Sequence, residues 1–478
     1  MPSVADDDGE RARTMRVVSL PDLSAEQQEL YRLIEDTREH VFITGRAGTG
    51  KSTLLQYFAW HTEKQIAICA PTGVAALNVE GQTIHSLFRL PIGLIAESEI
   101  EQNDATRRIL NAIDTLVIDE ISMVNADLMD GIDRSLRQAR GRRAEPFGGV
   151  QVVMFGDPYQ LAPVPPRGDE LHYVRDHYRS FWFFDAKVWA GATMGESDGL
   201  MDLGRHGAEL HVRELVQIHR QSDDGFKSML NAVRYGRVTA EIAHVLNTQG
   251  ARTPPDPEPG EIPMITLATR NDIVNNINRR HLTALSGKEQ TAKAEINGDF
   301  GRGDSSYPAD AELKLKIGAQ VMFLRNDTSM TGEPPRWVNG TIGTVKRILG
   351  GAVRVEIDGE DVDVEPAVWE RYRYSYDSNS KTLSRDVIAE FMQFPLRLAW
   401  AVTIHKSQGK TYDRAIIDLG GGAFAPGQTY VALSRLTSLE GLYLSRPLRP
   451  SDIRVDEDVR RFMREAWERA STPEVAGS

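Results

Sequence analysis

Apolar positions along this chain come in short runs closed by polar turns, and most of the early runs are followed by segments at helical spacing. Leu30, Tyr31 and Ile34 repeat at helical spacing behind Ser24, and Gln27 three residues further on completes a capping-box pattern. Val41-Phe-Ile enters a glycine-rich turn, and an amphipathic segment, Thr53 to Trp60, leaves it. Ile66 to Ala70, Thr115 to Ile118, and the run from Val150 to Phe155 read as further buried strands, each ending in polar residues. Strands alternating with helices predict an α/β fold with parallel sheets. From about Leu313 to Glu365 the period changes to two, with glycine in the turns, so a small antiparallel β module interrupts the pattern. The α/β pattern resumes at Leu396.

The turn after Val41-Phe-Ile is Gly45-Arg-Ala47-Gly48-Thr49-Gly50-Lys51-Ser52, in the strand–loop–helix setting of a phosphate-binding loop. Its glycines let backbone N–H groups converge on phosphate oxygens, and the helix that follows adds its positive end. Lys51 neutralises phosphate charge and the Ser52 hydroxyl reaches Mg²⁺, with Thr53 beside it. The strand Thr115-Leu-Val-Ile ends in Asp119-Glu120. Asp119 faces the metal held by Ser52, and Glu120 is placed to orient and deprotonate water. Gln160, in the loop after Phe155, is a candidate for contact with both the γ-phosphate and that water. The chain therefore carries a nucleotide site in this reading, and what hydrolysis drives stays open at this point.

Other blocks suit a polyanion. Ala70-Pro71-Thr72-Gly73 passes from a strand end into a helix, and Thr83-Ile-His85-Ser-Leu-Phe88 offers hydroxyls, a histidine and an aromatic. Taken alone, Phe88 is more often a core residue. Thr403-Ile-His405-Lys406-Ser-Gln-Gly409 is a polar, basic loop. Arg220 and Arg435, both in the second half, can bring guanidinium groups to a γ-phosphate only across a domain interface. Phe181 to Phe184 with Trp189 read as core packing rather than a base platform.

Bulk properties change this picture little. At 478 residues the chain is long enough for several domains, and its net charge of −12 disfavours nucleic acid only at first sight. Backbone binding depends on local cations, not on the total. The single cysteine, Cys69, excludes an intrachain disulfide framework and reads as a buried strand position. No apolar stretch is long enough to span a membrane, and the acidic start lacks an apolar signal core. A cytoplasmic protein is expected, with residues 1–20 as a disordered extension.

The ordered blocks L-S-A-E-Q, G-x-x-x-x-G-K-S, A-P-T-G, D-E-I-S-M, F-G-G-V-Q, G-D-P-Y-Q-L-A-P-V, H-R-Q, T-I-H-K-S-Q-G and Y-V-A-L-S-R resemble superfamily 1 helicases. More narrowly they resemble the petite-integration-frequency (Pif) family, over Leu23 to about Leu444. Pro158-Tyr159 and Ala162 depart from the family's usual residues in their loop. The resemblance implies two RecA-like motor domains with a small inserted antiparallel β-barrel and ATP between the motors. It divides the chain into a first motor at 21–200, with a small wedge insertion near 89–105. A second motor at 201–311 and 395–447 follows, with the β module at 312–394 and a C-terminal helix and tail at 448–478. It implies that Gln27 reads adenine, that Arg220 and Arg435 are paired arginine fingers, and that Pro71, Thr72, Gly73, His85, Phe88, Thr403, His405 and Lys406 contact DNA. The implied activity is 5′-to-3′ translocation on single-stranded DNA with unwinding of tailed or forked duplexes, by a monomer. A strand-translocating ATPase without useful unwinding shares every one of these blocks; a P-loop kinase or switch does not account for the second half.

Overall fold

Ser24 opens the first helix, α1 (Ala25–Asp36), with both halves of the capping box: its hydroxyl accepts from the Gln27 amide and Gln27 Oε1 accepts from the Ser24 amide. The computed structural model describes residues 23–91, 93–95, 100, 102–163, 169–189, 207–217, 223–255, 263–298, 300, 307–327, 336–377 and 382–471. Residues 1–20, Arg220 and the tail after 471 lie outside that set. The apolar runs of the first half become β1 (His40–Gly45), β2 (Ile66–Ala70), β3 (Gln82–Thr83), β4 (Thr115–Ile118), β5 (Gln151–Phe155) and β6 (Leu210–Leu215). They form one parallel sheet in the order β3-β2-β4-β5-β1-β6, with Val41 opposite Val153 and Val117 also opposite Val153 on the other side. Every residue of β4 and β5 is buried, which is why their sequences run apolar without alternation. The boundary at 200 does not hold for β6, which pairs with β1 from His40↔Leu210 to Gly45↔Leu215 and so belongs to the first sheet.

The second motor sheet is four parallel strands in the order Ala401–Thr403, Ile265–Ala268, Ala415–Asp418, Leu442–Leu444. Between its strands lies the antiparallel part. Five strands, ordered Glu360–Val364, Val353–Ile357, Ile342–Ile348, Gln320–Phe323, Leu396–Leu398, enclose Val321, Phe323, Val345, Val355 and Trp337. The antiparallel pairing reaches back before 312: Gln290–Lys293 pairs with Glu312–Leu315, and Glu295–Gly298 pairs with Thr382–Gln393. A long hairpin, Ala367–Asp377 with Thr382–Gln393, leaves the five-stranded sheet and lies against the first motor's helices Asp104–Ala112 and Gly73–Asn78. Around residues 89–105, Ile95 and Ile100 are buried in the first motor's core, and the Ile95 amide donates to Asp127 at 2.7 Å.

Phe181 to Phe184 and Trp189 pack inward as expected, and Cys69 is fully buried on β2. The C-terminal helix, Glu457–Ser471, was not expected to bridge the halves, yet it does. Phe462 stacks on Phe184 at 4.1 Å, and Arg461 pairs with Asp185, both in the first motor. On the same helix Trp467 meets Tyr235 edge-on at 6.2 Å, and Arg460 donates to the Tyr235 carbonyl. Among the described residues no helix is long and apolar enough to cross a membrane. Phe462→Ala should lower unfolding stability by about 3 kcal/mol. Denaturant melts of both proteins check this, and an unchanged midpoint would remove the helix as a tie between the halves.

Candidate functional site

The phosphate-binding loop sits where β1 runs into helix α2 (Lys51–His61). Gly50 caps this helix in the left-handed region, at φ 80°, and a Cβ there would overlap the Gln27 amide nitrogen. Only glycine lets Gln27 approach so closely. The Gln27 side chain donates to the Gly50 carbonyl at 3.0 Å while its oxygen caps α1, so the first helix is tied to the loop by one amide. Lys51 Nζ donates to the carbonyls of Gly45 and Arg46 at 2.7 and 3.1 Å. The Thr49 hydroxyl turns inward onto the Arg46 carbonyl, whereas Ser52 is exposed to the cleft and Thr53 is half-buried. Ala47 is buried, and its N–H donates across to the Tyr430 hydroxyl of the second motor at 3.3 Å.

Asp119 and Glu120 follow β4 directly. Burial and the adjoining Glu120 carboxylate push Asp119 up to about 7, and burial raises Glu120 against the opposing fields of Lys51 and Arg435. Burial likewise lowers Lys51, offset by Asp157, Glu120 and Asp119. Glu120 has φ 49° and ψ 44°, a left-handed conformation that a non-glycine residue holds at a cost of order 1–2 kcal/mol. The turn aims two consecutive carboxyl groups at the end of one strand into the same cleft.

Arg435 is 1% exposed and sits on the seam. Its guanidinium donates to the carbonyls of Val431, at 3.0 Å, and of Ser407 and Lys410, each at 3.4 Å. Its field reaches Glu120 from the opposite side of the cleft. Gln160 is buried on the same seam and accepts from Gln408 of the second motor at 3.4 Å. A Cβ on Gly427 would overlap the Gln160 carbonyl, so the second motor's backbone lies directly on this loop.

The nucleic-acid candidates divide between the halves. Pro71, Thr72 and Gly73 are half-buried, and the Thr72 hydroxyl accepts from the Ala75 amide as cap of helix Gly73–Asn78. His85 is half-buried, and burial lowers it, favouring the neutral ring. Phe88 is a correction: it is fully buried in the first motor's core and presents no face for a base. Its aromatic ring gains more from apolar packing than the exposed position would offer. Thr403 is buried with its hydroxyl accepting from the Lys406 amide, which orders the turn that leaves His405 and Lys406 exposed.

Comparison with known proteins bears on this arrangement. Residues 22–243 match the family described as PIF1-like helicase. The ATP-dependent DNA helicase Pif1 of Bdellovibrio bacteriovorus is 33% identical over 455 residues, covering 93% of this chain and 92% of that protein. The chain belongs to the PIF1-like helicase family. It is an enzyme, and it uses ATP. Pif1 from Bacteroides sp solved with ADP-AlF4 has a TM-score of 0.80 at 34% identity, covering 93% of this chain and 97% of that one. The Bacteroides protein bound to ssDNA has a TM-score of 0.65 at 35% identity, covering 94% and 98%.

In this helicase, three groups at the nucleotide cleft escaped sequence reasoning. Tyr430 and Gln408 stand inside blocks already singled out, but only the fold shows that they touch the first motor. Arg234, at the end of helix Asp224–Arg234, carried no motif signal at all. It is fully buried, pairs with Asp157 and Glu214 at 3.0 Å each, and lies 4.5 Å over the Tyr159 ring. Asp157 Oδ2 is buried without a partner among the described residues, while Asp157 raises the protonation of Lys51 more than any other group.

Asp119 gives a test with a defined sign. Its folded value, near 7, lies above the unfolded value near 3.8, so the folded state binds the extra proton between them. Stability of the nucleotide-free protein therefore falls as pH rises through that window. Asp119→Asn removes the crowded charge and should raise the melting temperature at pH near 8 by a few degrees, with little change at pH near 4. An equal shift at both pH values would show that charge crowding is not what destabilises the site.

Proposed function

We propose that this helicase is an ATP-dependent DNA motor that translocates 5′ to 3′ on single-stranded DNA and unwinds tailed or forked duplexes. The observation carrying the reading is that both halves meet on one cleft. Lys51, Asp119, Glu120 and Gln160 come from the first half, and Tyr430, Gln408 and Arg435 from the second. Hydrolysis in such a cleft changes the contact between the motors, so grips on a strand held by each can alternate. The 5′-to-3′ direction rests on family membership.

Gly45, Gly48, Gly50, Ala47 and Thr49 would present backbone amides to the phosphates, with Gln27 at the adenine end. Ser52 and Asp119 would hold Mg²⁺: an exposed hydroxyl and a carboxylate crowded by its neighbour are the hard oxygen donors this ion takes. When bound, the ion neutralises charge on the transferring phosphoryl group. Glu120 would orient water and accept its proton, while Arg435, with Arg220, would stabilise charge on the γ-phosphate from the opposite side. Pro71, Thr72, Gly73, His85, His405 and Lys406 remain the candidate strand contacts, and Thr403 acts by ordering the last two. Opening a base-pair step costs about 1.4 kcal/mol in stacking, within reach of one nucleotide hydrolysis.

Glu120→Gln keeps shape and removes the base. ATP should still bind, while turnover drops by about 10² or more. Arg435→Ala should leave ATP affinity largely intact and lower DNA-stimulated turnover by roughly 10³, as loss of a transition-state contact does. Turnover per folded molecule, with melting temperature alongside, checks both; normal stimulated turnover in Arg435→Ala would detach the second half from the chemistry. Unwinding of 5′-tailed but not 3′-tailed duplexes is the expected polarity result. ATPase stimulation by single strands without opening of either substrate would instead favour translocation alone.

A further inference from the structure

Gln160, the first motor's candidate for contact with the γ-phosphate, closes a turn that Asp157 organises. The Asp157 carbonyl accepts from the Gln160 amide at 2.9 Å, and carboxylate oxygen Oδ1 accepts from the Tyr159 amide at 3.1 Å. An aspartate bonded to the amide two residues on is an Asx turn, so this side chain shapes its own loop. The same Oδ1 also takes an arginine from the second half of the chain. Arg234 Nη2 donates to it at 3.0 Å, and Arg234 Nε at 3.4 Å.

Arg234 is aimed in turn by two further groups. Its Nη1 donates to Glu214 Oε1 of β6 at 3.0 Å and to the hydroxyl of the adjoining Tyr235 at 2.6 Å. With all three guanidinium nitrogens committed, the planar fork has one orientation. The Tyr235 ring meets the Tyr159 ring edge-on at 5.1 Å, so it touches the turn as well as the arginine. On its other side is the C-terminal helix. Trp467 stands edge-on to Tyr235 at 6.2 Å, and Arg460 donates to the Tyr235 carbonyl at 3.0 Å. One series of contacts therefore runs from the C-terminal helix through Tyr235 and Arg234 to Asp157 and Gln160. Arg234 and Asp157 are both enclosed, where a hydrogen bond is stronger than in water and a lost partner costs more.

We propose that Arg234 and Tyr235 are positioning residues for hydrolysis, fixing the Asp157 turn and so the reach of Gln160 toward the γ-phosphate. The inference rests on the motor reading, in which Gln160 meets the γ-phosphate and its water. Both residues act through Asp157, not on the nucleotide itself. The C-terminal helix sets how firmly Tyr235 is held, so a segment distant from the phosphate-binding loop in the chain tunes turnover. Displacing a positioned group by about 1 Å can cost about 10² in rate, and partial loosening costs less.

The test is steady-state ATP turnover by the full chain with saturating oligothymidylate, expressed per folded molecule, with melting temperature alongside. Tyr235→Phe removes one hydroxyl and keeps the ring against Tyr159 and Trp467. It should lower kcat about tenfold and leave KM for ATP within about twofold, as loss of transition-state alignment does. Trp467→Ala, at a partly exposed site, should lower kcat in the same sense by a smaller factor, and serves as the second variant should Tyr235→Phe melt abnormally. Gln160→Ala supplies the deciding background. There Tyr235→Phe should lower kcat no further, because the group it positions is gone. Wild-type turnover per folded molecule in both Tyr235→Phe and Trp467→Ala, or a full further loss in the Gln160→Ala background, would overturn the positioning role. Wild-type turnover in Gln160→Ala alone would instead overturn the assignment of Gln160 in the motor reading, and this inference with it.

Discussion

A single buried guanidinium holds the two halves in working register. Arg234 is fully enclosed between Asp157 of the nucleotide-side loop and Glu214 of β6, with the Tyr159 and Tyr235 rings against it. Burying such a cluster contributes little net stability compared with an apolar packing of the same volume, but removing one member leaves an uncompensated charge at a cost of about 3–5 kcal/mol. Its effect is geometric. Helix Asp224–Arg234 packs on the helix of Tyr430, so the ion pairs place Tyr430 over Ala47 and Gly427 on Gln160. An apolar seam of equal area would permit sliding, whereas the paired charges specify one docking.

Charge density at the cleft follows from that docking. Lys51, Asp119, Glu120 and Asp157 lie within one another's fields, in a place where water is partly excluded. Lys51 donates to loop carbonyls, and the Ala47 amide donates to the Tyr430 hydroxyl. The left-handed backbone at Glu120 belongs to the same arrangement, since it turns adjoining carboxyl groups toward a common space.

Outside the cleft, apolar contact ties the parts together. The long hairpin rests on the first motor through a small cluster of Trp369, Phe391 and Leu77, and the C-terminal helix brings Phe462 onto Phe184. The β module is therefore tied both to the motor that encodes it and to the other one. Charge of both signs meets where the second motor joins the β module, with Arg279, Arg397 and Lys406 lining one groove together with Glu289, Asp310 and Glu312.

Local periodicity and loop chemistry made much of this legible from the amino acids alone. The strand–glycine loop–helix at Gly45 to Ser52, the Asp119-Glu120 pair at a strand end, the capping box at Ser24 and the switch to period two near Leu313 are short-range patterns, and short-range patterns survive in sequence. Tertiary structure alone decided the rest. The strand Leu210–Leu215 carries nothing to say which sheet it joins, because pairing is chosen by the exposed edge of β1. Phe88 taken alone reads more often as core, the resemblance made it a strand contact, and burial settles it at 0% exposure. Arg234 looks like any helical arginine, since what distinguishes it is two carboxylates distant in the chain. Amino-acid order determines which chemistry a segment can perform; long-range packing decides which segments share a dielectric, and therefore which charges and hydroxyls act together.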